Sequence, residues 1–193
     1  MGNDIKWLVQ YGDVLKEEEN INLFNYIVTK EKLFKDTGGI NYSSLEFYHK
    51  WRKSKILYFS DFKEFTPNLE QFIRQHFIEV CERLKIEPFK IHDIDFQLTS
   101  HNDGEQFMIH KDKGTKETEG RMLTFVYYFH SLSKKFSGGE LLFPENGNIS
   151  IEPVNNTIIF FNPTLSHKVL PVSCPSKEFK DGRFTVNGWI QKL

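Results

Sequence analysis

His110-Lys111-Asp112 places an imidazole and a carboxylate two residues apart. A strand puts residues i and i+2 on one face, so the two side chains can aim at a common point. A third ligand is at hand in His167, which follows the apolar run Thr157-Ile158-Ile159-Phe160-Phe161 and precedes Val169 and Leu170, where one strand should end and another begin. Two imidazoles and one carboxylate fill three corners of an octahedron and leave three open. That is how a non-haem Fe(II) centre holds a co-substrate and O2 together. Zinc is the rival metal, because three protein ligands and a water also make a hydrolytic site. The sequence has no His-Glu-x-x-His and no clustered Cys pair to support it.

The tripeptide alone is a weak signal. Chance gives about one third of a His-x-Asp match in a chain with seven His, and His101-Asn102-Asp103 fits as well. Its Asn102-Asp103-Gly104 reads as a tight turn, which would not hold two side chains in alternation. His110 instead follows Phe107-Met108-Ile109, a better strand. Taken singly, His110 reads as a half-buried polar residue and His167 as a hydrogen-bonded histidine beside a turn; their joint placement in a run of β-segments points to a metal. An oxygenase of this kind also needs a cation for the far carboxylate of a dicarboxylate co-substrate whose near end chelates the metal. Arg183 opens the run Arg183-Phe184-Thr185-Val186-Asn187-Gly188-Trp189, and its planar fork can grip a carboxylate; a surface ion pair is its alternative role.

The elements that must position these residues are legible from periodicity. Ile21, Phe24, Ile27 and Val28 recur at helical spacing from about Lys16 to Lys32, with Glu17, Glu18 and Glu19 in the first turn. A second helix runs over Leu69, Phe72, Ile73, Phe77, Val80, Cys81 and Leu84, with Thr66 as its cap and Pro67 at its first position. His76, in that stripe, reads as a packed histidine. Residues 36–62 hold a turn at Thr37-Gly38-Gly39 and a basic stretch, Trp51-Arg52-Lys53-Ser54-Lys55, that either flanks a substrate groove or is a solvated edge. From Ile91 the period changes to two. Strands are expected near 91–99, 105–111, 121–130, 139–143, 149–152, 157–161, 167–173 and 183–191, separated by turn residues. Eight strands after two helices make a mainly β protein with flanking helices (α+β): a double-stranded β-helix, or jelly roll, with the N-terminal helices packed on one sheet. We read one domain over 1–193, in which 1–90 supply helical support and substrate-side elements and 91–193 form the core. The polar loop 111–120 is placed to order over a substrate.

Composition excludes several classes. With 25 basic and 26 acidic residues the net charge is −1, which gives no electrostatic reason to expect nucleic acid or an anionic membrane as partner. No stretch approaches the roughly 20 apolar residues of a spanning helix. Cys81 and Cys174 make no disulfide framework, and Met1 to Gln10 lack a secretory pattern, so a cytoplasmic protein with reduced thiols is expected. Met1-Gly2 resembles a myristoylation start, but Lys6 stands where Ser or Thr is wanted. Asn41-Tyr42-Ser43, Asn148-Ile149-Ser150 and Asn155-Asn156-Thr157 are chance glycosylation matches in such a chain. Nineteen Phe, seven Tyr and three Trp favour a β-dominated core.

Several blocks, in order, carry a family resemblance: Gln97-Leu98-Thr99, Asn102-Asp103-Gly104, His110-Lys111-Asp112, Arg121 to Tyr128, Gly138-Gly139-Glu140-Leu141, Phe160-Phe161, His167 to Val172, and Arg183 with Trp189. Over about 96–190 the sequence resembles the prolyl 4-hydroxylase-like branch of the Fe(II)/2-oxoglutarate-dependent dioxygenases. The resemblance implies His110, Asp112 and His167 as ligands of Fe(2+), Arg183 on the distal carboxylate of 2-oxoglutarate and the Tyr128 hydroxyl on the same carboxylate. It implies hydroxylation of an unactivated C–H bond, with succinate and CO2 released and ascorbate as a reductant. A peptide or protein side chain is the expected substrate, proline first. A free amino acid or other small molecule is the alternative, and a non-catalytic jelly-roll binding module the third reading. Two departures stand out. His101 occupies the place of the family's usual pocket Tyr, where it serves as a hydrogen-bond donor or titrates. The segment from His167 to Arg183 exceeds the family norm and puts Lys177 nearer the usual spacing; Arg183 is preferred because it alone starts an apolar strand.

Overall fold

The computed structural model describes residues 5–37 and 51–193. Met1-Gly2, Asn41-Tyr42-Ser43 and the two glycines of the expected Thr37-Gly38-Gly39 turn lie outside the described residues. The fold is mainly β-sheet with some helices. A seven-stranded antiparallel sheet runs in the order β1 (Leu8–Tyr11), β11 (Thr157–Phe161), β7 (Arg121–Phe129), β14 (Arg183–Gln191), β5 (Asp93–His101), β4 (Lys55–Leu57), β2 (Lys35–Asp36). A five-stranded sheet runs β10 (Ile149–Ile151), β9 (Leu141–Phe143), β12 (His167–Val169), β6 (Gln106–His110), β3 (Arg52–Lys53). A small ribbon pairs β13 (Val172–Ser173) with β8 (Ser137–Gly138).

The apolar runs of the long strands are explained by burial on both faces of the larger sheet. In β7, Phe125, Tyr127 and Phe129 join a core that also holds Leu23 and Ile27 of α1 (Glu17–Thr29) and Leu69, Ile73, Phe77 and Val80 of α2 (Thr66–Leu84). The alternate residues Val126 and Tyr128 pack with Ile159 and Phe161, and with Leu141, Phe143, Ile151 and Val169 of the other sheet. A buried polar chain ties α1 to this frame: Asn20 Nδ2 donates to the Tyr127 hydroxyl (2.7 Å), which donates to Asn156 Oδ1 (3.0 Å).

The structure departs from the sequence reading at several points. Thr66 is not the cap of α2: Phe65 precedes the helix, and the Thr66 hydroxyl donates to the Lys63 carbonyl at 2.9 Å. The helix ends as expected of a left-handed C-cap, with Lys85 at φ 56° and the Ile86 N–H on the Cys81 carbonyl. His76 is packed, as read, against Phe72 and Tyr11. Of the 139–143 segment only Leu141–Phe143 is strand, as β9; Gly138, which ends β8, and Gly139 after it sit at φ +71° and +72°, and 167–173 becomes β12 and β13, with Leu170 and Pro171 between them. β1 was not expected. Four residues bury only Leu8 and Val9, too short a run to show a period, and the strand exists because β11 offers an edge.

Candidate active site

β6 and β12 lie side by side, and their register pairs His110 directly with His167. Asp112 does not sit in strand alternation with His110, as the sequence reading had it. β6 ends at His110, and Asp112 follows in a bend whose N–H donates to the Pro163 carbonyl at 3.0 Å. The bend still delivers the carboxylate: His110 Nε2 is 3.7 Å from Asp112 Oδ1 and His167 Nε2 is 3.6 Å from Oδ2. One ligand atom from each of the three residues lies within 4.8 Å of the others, close enough to share a metal ion.

Both imidazoles are set to face that point with lone pairs. His110 Nδ1 lies 2.9 Å from the Met108 carbonyl and His167 Nδ1 2.9 Å from the Leu165 carbonyl. Only a protonated Nδ1 can donate to a carbonyl, so each Nε2 is left as the acceptor a metal requires. Aromatic packing fixes the rings, with Phe107 stacked on His110 at 3.7 Å and Phe161 edge-on to His167 at 5.0 Å. Burial, then the neighbouring His167, pushes His110 down to about 4, so it is neutral at pH 7. The Thr124 hydroxyl donates to Asp112 Oδ2 at 2.9 Å and Arg121 Nη1 to the Asp112 carbonyl at 2.9 Å, which orients the carboxylate.

These groups open into a cavity of ≈ 560 Å³ whose other end is formed by Arg183, His101 and Thr185. Arg183 opens β14 opposite His101 of β5 and is 1 % exposed. Its guanidinium lies over the Tyr128 ring at 5.2 Å, and Nη1 is 3.4 Å from His101 Nδ1. Gly139 leaves room for this side chain: a Cβ there would come within 2.7 Å of Arg183 Cδ. Among the described residues, His101 Nε2, Arg183 Nε and the Thr185 hydroxyl at this end, and the Tyr128 hydroxyl of the ring beneath Arg183, are buried without a hydrogen-bond partner. Buried donors that meet nothing are costly, and a cluster of them is completed by an acceptor with several lone pairs. A carboxylate is such an acceptor.

His101 contributes a definite donor. Burial first, then Arg183 and Arg52, hold its pKa well below the usual imidazole range, so it does not titrate near neutrality. A guanidinium only donates, so Nδ1 accepts from Arg183 and the proton sits on Nε2, toward which no acceptor among the described residues is turned. Burial raises Tyr128 to about 12 and keeps its proton in place. Lys177, the alternative cation, is instead an exposed residue 3.7 Å from Asp103 and does not line the cavity.

The sequence reading missed Thr124, Thr185, Asn187 and Gln97 as cavity residues, while Arg52, from the basic stretch read as either a groove flank or a solvated edge, lines the cavity. A signal was present. Once Arg183 is fixed, the period of two carries Thr185, Asn187 and Trp189 to the same face of β14, and the same rule from His101 gives Thr99 and Gln97 on β5.

A family model described as the 2OG-Fe(II) oxygenase superfamily matches residues 96–191. An uncharacterized PKHD-type hydroxylase, sll0191 of Synechocystis sp., is 36 % identical over 196 residues, covering 94 % of this chain. The chain spans 63 % of that relative's length. Among solved structures, a Pseudomonas putida prolyl-4-hydroxylase superposes with a TM-score of 0.69 at 16 % identity, covering 97 % of this chain and 93 % of that one. A Trichoplax adhaerens prolyl hydroxylase, in complex with a hypoxia inducible factor peptide fragment, gives 0.72 at 17 % identity over 96 % and 84 % of the two chains. The viral collagen prolyl hydroxylase of Paramecium bursaria Chlorella virus-1, in its 2OG complex, gives 0.63 at 20 % identity over 97 % of each. Residues 96–191, which hold the His110, Asp112 and His167 cluster and Arg183, thus belong to the 2OG-Fe(II) oxygenase superfamily, on a fold shared with the prolyl hydroxylases.

Proposed function

We propose that this chain is an Fe(II)- and 2-oxoglutarate-dependent oxygenase that hydroxylates an unactivated C–H bond of a peptide or protein side chain. The observation that carries this reading is the meeting, in one cavity, of three metal-competent side chains and a cluster of buried, unanswered donors. The two ends fit the two groups that the superfamily's description names. Bound Fe(II) and 2-oxoglutarate supply the oxidising chemistry, with succinate and CO2 as co-products.

The chain's own residues hold, orient and exclude water. His110, Asp112 and His167 take the metal through Nε2, a carboxylate oxygen and Nε2. Arg183 and Tyr128 take the far carboxylate, with the His101 Nε2–H as a third donor in place of the family's usual Tyr. Lys111 to Thr118 border the cavity and are positioned to cover a bound substrate. Proline is favoured by the names of the structural relatives, and a peptide by the fragment bound to the Trichoplax enzyme. In finer terms the fold is a double-stranded β-helix in one domain, with 91–193 as its core and 1–90 as helical and substrate-side support. Ascorbate would keep the iron reduced. No helix among the described residues is long and apolar enough to cross a membrane. A cytoplasmic setting suits two buried, unpaired cysteines.

The test is reconstitution. Anaerobic protein given Fe(II) and 2-oxoglutarate should develop the visible charge-transfer absorbance of a chelated pair. Admitting O2 should form succinate, and mass spectrometry of peptide substrates should find a gain of one oxygen. Asp112→Ala should lose all three. Metal-replete protein that forms no succinate, with or without substrate, would overturn the reading.

A further inference from the structure

His101 and Arg183 form the last rung of the ladder between β5 and β14: β5 ends at one and β14 begins at the other. β7 joins β14 only from Phe184 onward, so the backbone of Arg183 is paired on one side. A ladder opens most readily at its end, and this end carries a desolvated guanidinium that favours opening. Yet His101 and Arg183 are 2 % and 1 % exposed, with Nη1 of one 3.4 Å from Nδ1 of the other. Something beyond the sheet must hold them.

Beyond the sheet lie the turn that follows His101 and the stretch 174–182 that precedes Arg183, part of the segment that exceeds the family norm. The two are stitched together. Asn102 Nδ2 donates to the Glu178 carbonyl at 3.0 Å and lies 3.4 Å from that of Lys177. Asp103 Oδ1 accepts from the Cys174 N–H at 3.0 Å. Asn102 is itself fixed, since its Oδ1 takes the Asp103 N–H at 2.6 Å and Glu105 Oε2 takes its own N–H at 2.8 Å. On the loop side Lys177 is left-handed, with φ 57°, a conformation that a lysine adopts when its surroundings impose it. Gly182 brings the loop against β5, where a Cβ would come within 2.9 Å of the His101 carbonyl oxygen. Phe179 seats the loop in the core, edge-on to Phe34 at 4.9 Å and to Phe184 at 5.1 Å. The exposed contact of Lys177 with Asp103, at 3.7 Å, adds little.

We propose that Asn102 and Asp103 are positioning residues for the co-substrate: by stapling the 174–182 loop they hold Arg183 and His101 at the spacing that grips its far carboxylate. The proposal rests on the oxygenase reading above. Neither side chain lines the cavity, so each acts through its neighbours. If opening the staple parts the anion-binding pair, an anion that holds the pair together must also hold the staple closed, because coupling between two sites is reciprocal.

The experiment uses the full chain loaded anaerobically with Fe(II). In the wild type, saturating 2-oxoglutarate should slow hydrogen exchange of the amides between 174 and 184 by about 10-fold or more; exchange that it leaves unchanged overturns the proposal. Asn102→Asp keeps the oxygen that the Asp103 N–H needs but turns an acceptor on the loop carbonyls. It should weaken 2-oxoglutarate, read from the charge-transfer absorbance, by about 10-fold and leave Fe(II) affinity, read by metal competition, within about twofold. Asp103→Ala should act alike, and Asp103→Asn, which retains the acceptor for the Cys174 N–H, should recover most of the loss. A folded variant that melts earlier yet keeps its 2-oxoglutarate affinity within about twofold of wild type would make the staple structural only and overturn the proposal. An equal fall in Fe(II) affinity would overturn it too, as general damage to the site. If the variants misfold, the wild-type exchange decides alone. Absence of the charge-transfer absorbance in the wild type would instead be the failure of the oxygenase reading.

Discussion

The two ends of the cavity are built in opposite ways. At the metal-competent end the three side chains His110, Asp112 and His167 are each answered on the far side, by the Met108 and Leu165 carbonyls and by Thr124, so that these three turn acceptors toward one another. At the Arg183 end the groups are donors, and His101 Nε2, Arg183 Nε and the Thr185 hydroxyl, with the Tyr128 hydroxyl beside them, meet no partner among the described residues. The first end is complete as a protein structure and merely receptive to a cation. The second is held at a cost until an anion arrives, because an unpaired buried donor forfeits about 1–3 kcal/mol. Stability and ligand affinity should therefore be coupled in opposite senses at the two ends.

Three sets of variants and a pH series would break or sharpen this contrast. The largest effect is expected from Arg183→Met, which should weaken 2-oxoglutarate binding by about 100-fold or more while leaving Fe(II) affinity near wild type. The same substitution should make the ligand-free protein more stable by roughly 1–3 kcal/mol, because an apolar side chain of similar volume replaces a desolvated charge; a fall in urea midpoint would show that the donor end is not strained. Thr124→Val acts at the other end. Losing the hydrogen bond to Asp112 should cost about 10-fold in Fe(II) affinity, read by metal competition, and spare 2-oxoglutarate. His101→Phe should weaken 2-oxoglutarate by about 10-fold, and His101→Tyr should recover most of it, since either His or Tyr offers one donor. The wild-type 2-oxoglutarate affinity should show no step from this histidine between pH 6 and 8, because it stays neutral.

The smallest effect is in the pH dependence of the metal-free protein. His110 is held at about 4 and His101 well below its ordinary value, so between there and about 6.5 the unfolded chain binds protons that the folded chain refuses. Stability from these residues is therefore full above about pH 6.5 and declines as pH falls toward 4. Melting temperatures of metal-free protein across that window should fall toward acid, and His101→Phe should flatten part of the slope.

How much of this was legible beforehand depended on whether chemistry or pairing made the element. The long strands of the second half carry enough alternating or continuous apolar residues to declare themselves, and the stripe of α2 did the same. β1 to β4 are two to four residues long, exist by pairing with partners distant in sequence, and leave no period to read. The site residues were found by type and spacing where the motif was dense. Asp112 was found for a partly mistaken reason, since a bend hydrogen-bonded to Pro163 aims it rather than strand alternation. Thr124 and Thr185 were missed because a threonine in an apolar strand looks like filler until its neighbours across the sheet are known. The state of His101 was open in the sequence for the same reason: complete burial beside a guanidinium, which decides it, is a tertiary fact.

β14 has one more consequence. Arg183, Thr185, Asn187 and Trp189 all come from this one strand, clamped in register on both sides by β5 and β7. At about 3.3 Å per residue, the six steps from Arg183 to Trp189 span about 20 Å. The strand is a ruler, with the Arg183 guanidinium, the proposed anchor of the co-substrate, at one end of the scale and the Trp189 indole beneath Arg121 at the other. Its graduations cannot drift independently, since a slip of a single residue would turn all four marks to the opposite face at once. Molecules that enter are thus measured against a fixed length, and selection among them can change what stands at each mark far more easily than the distance between marks.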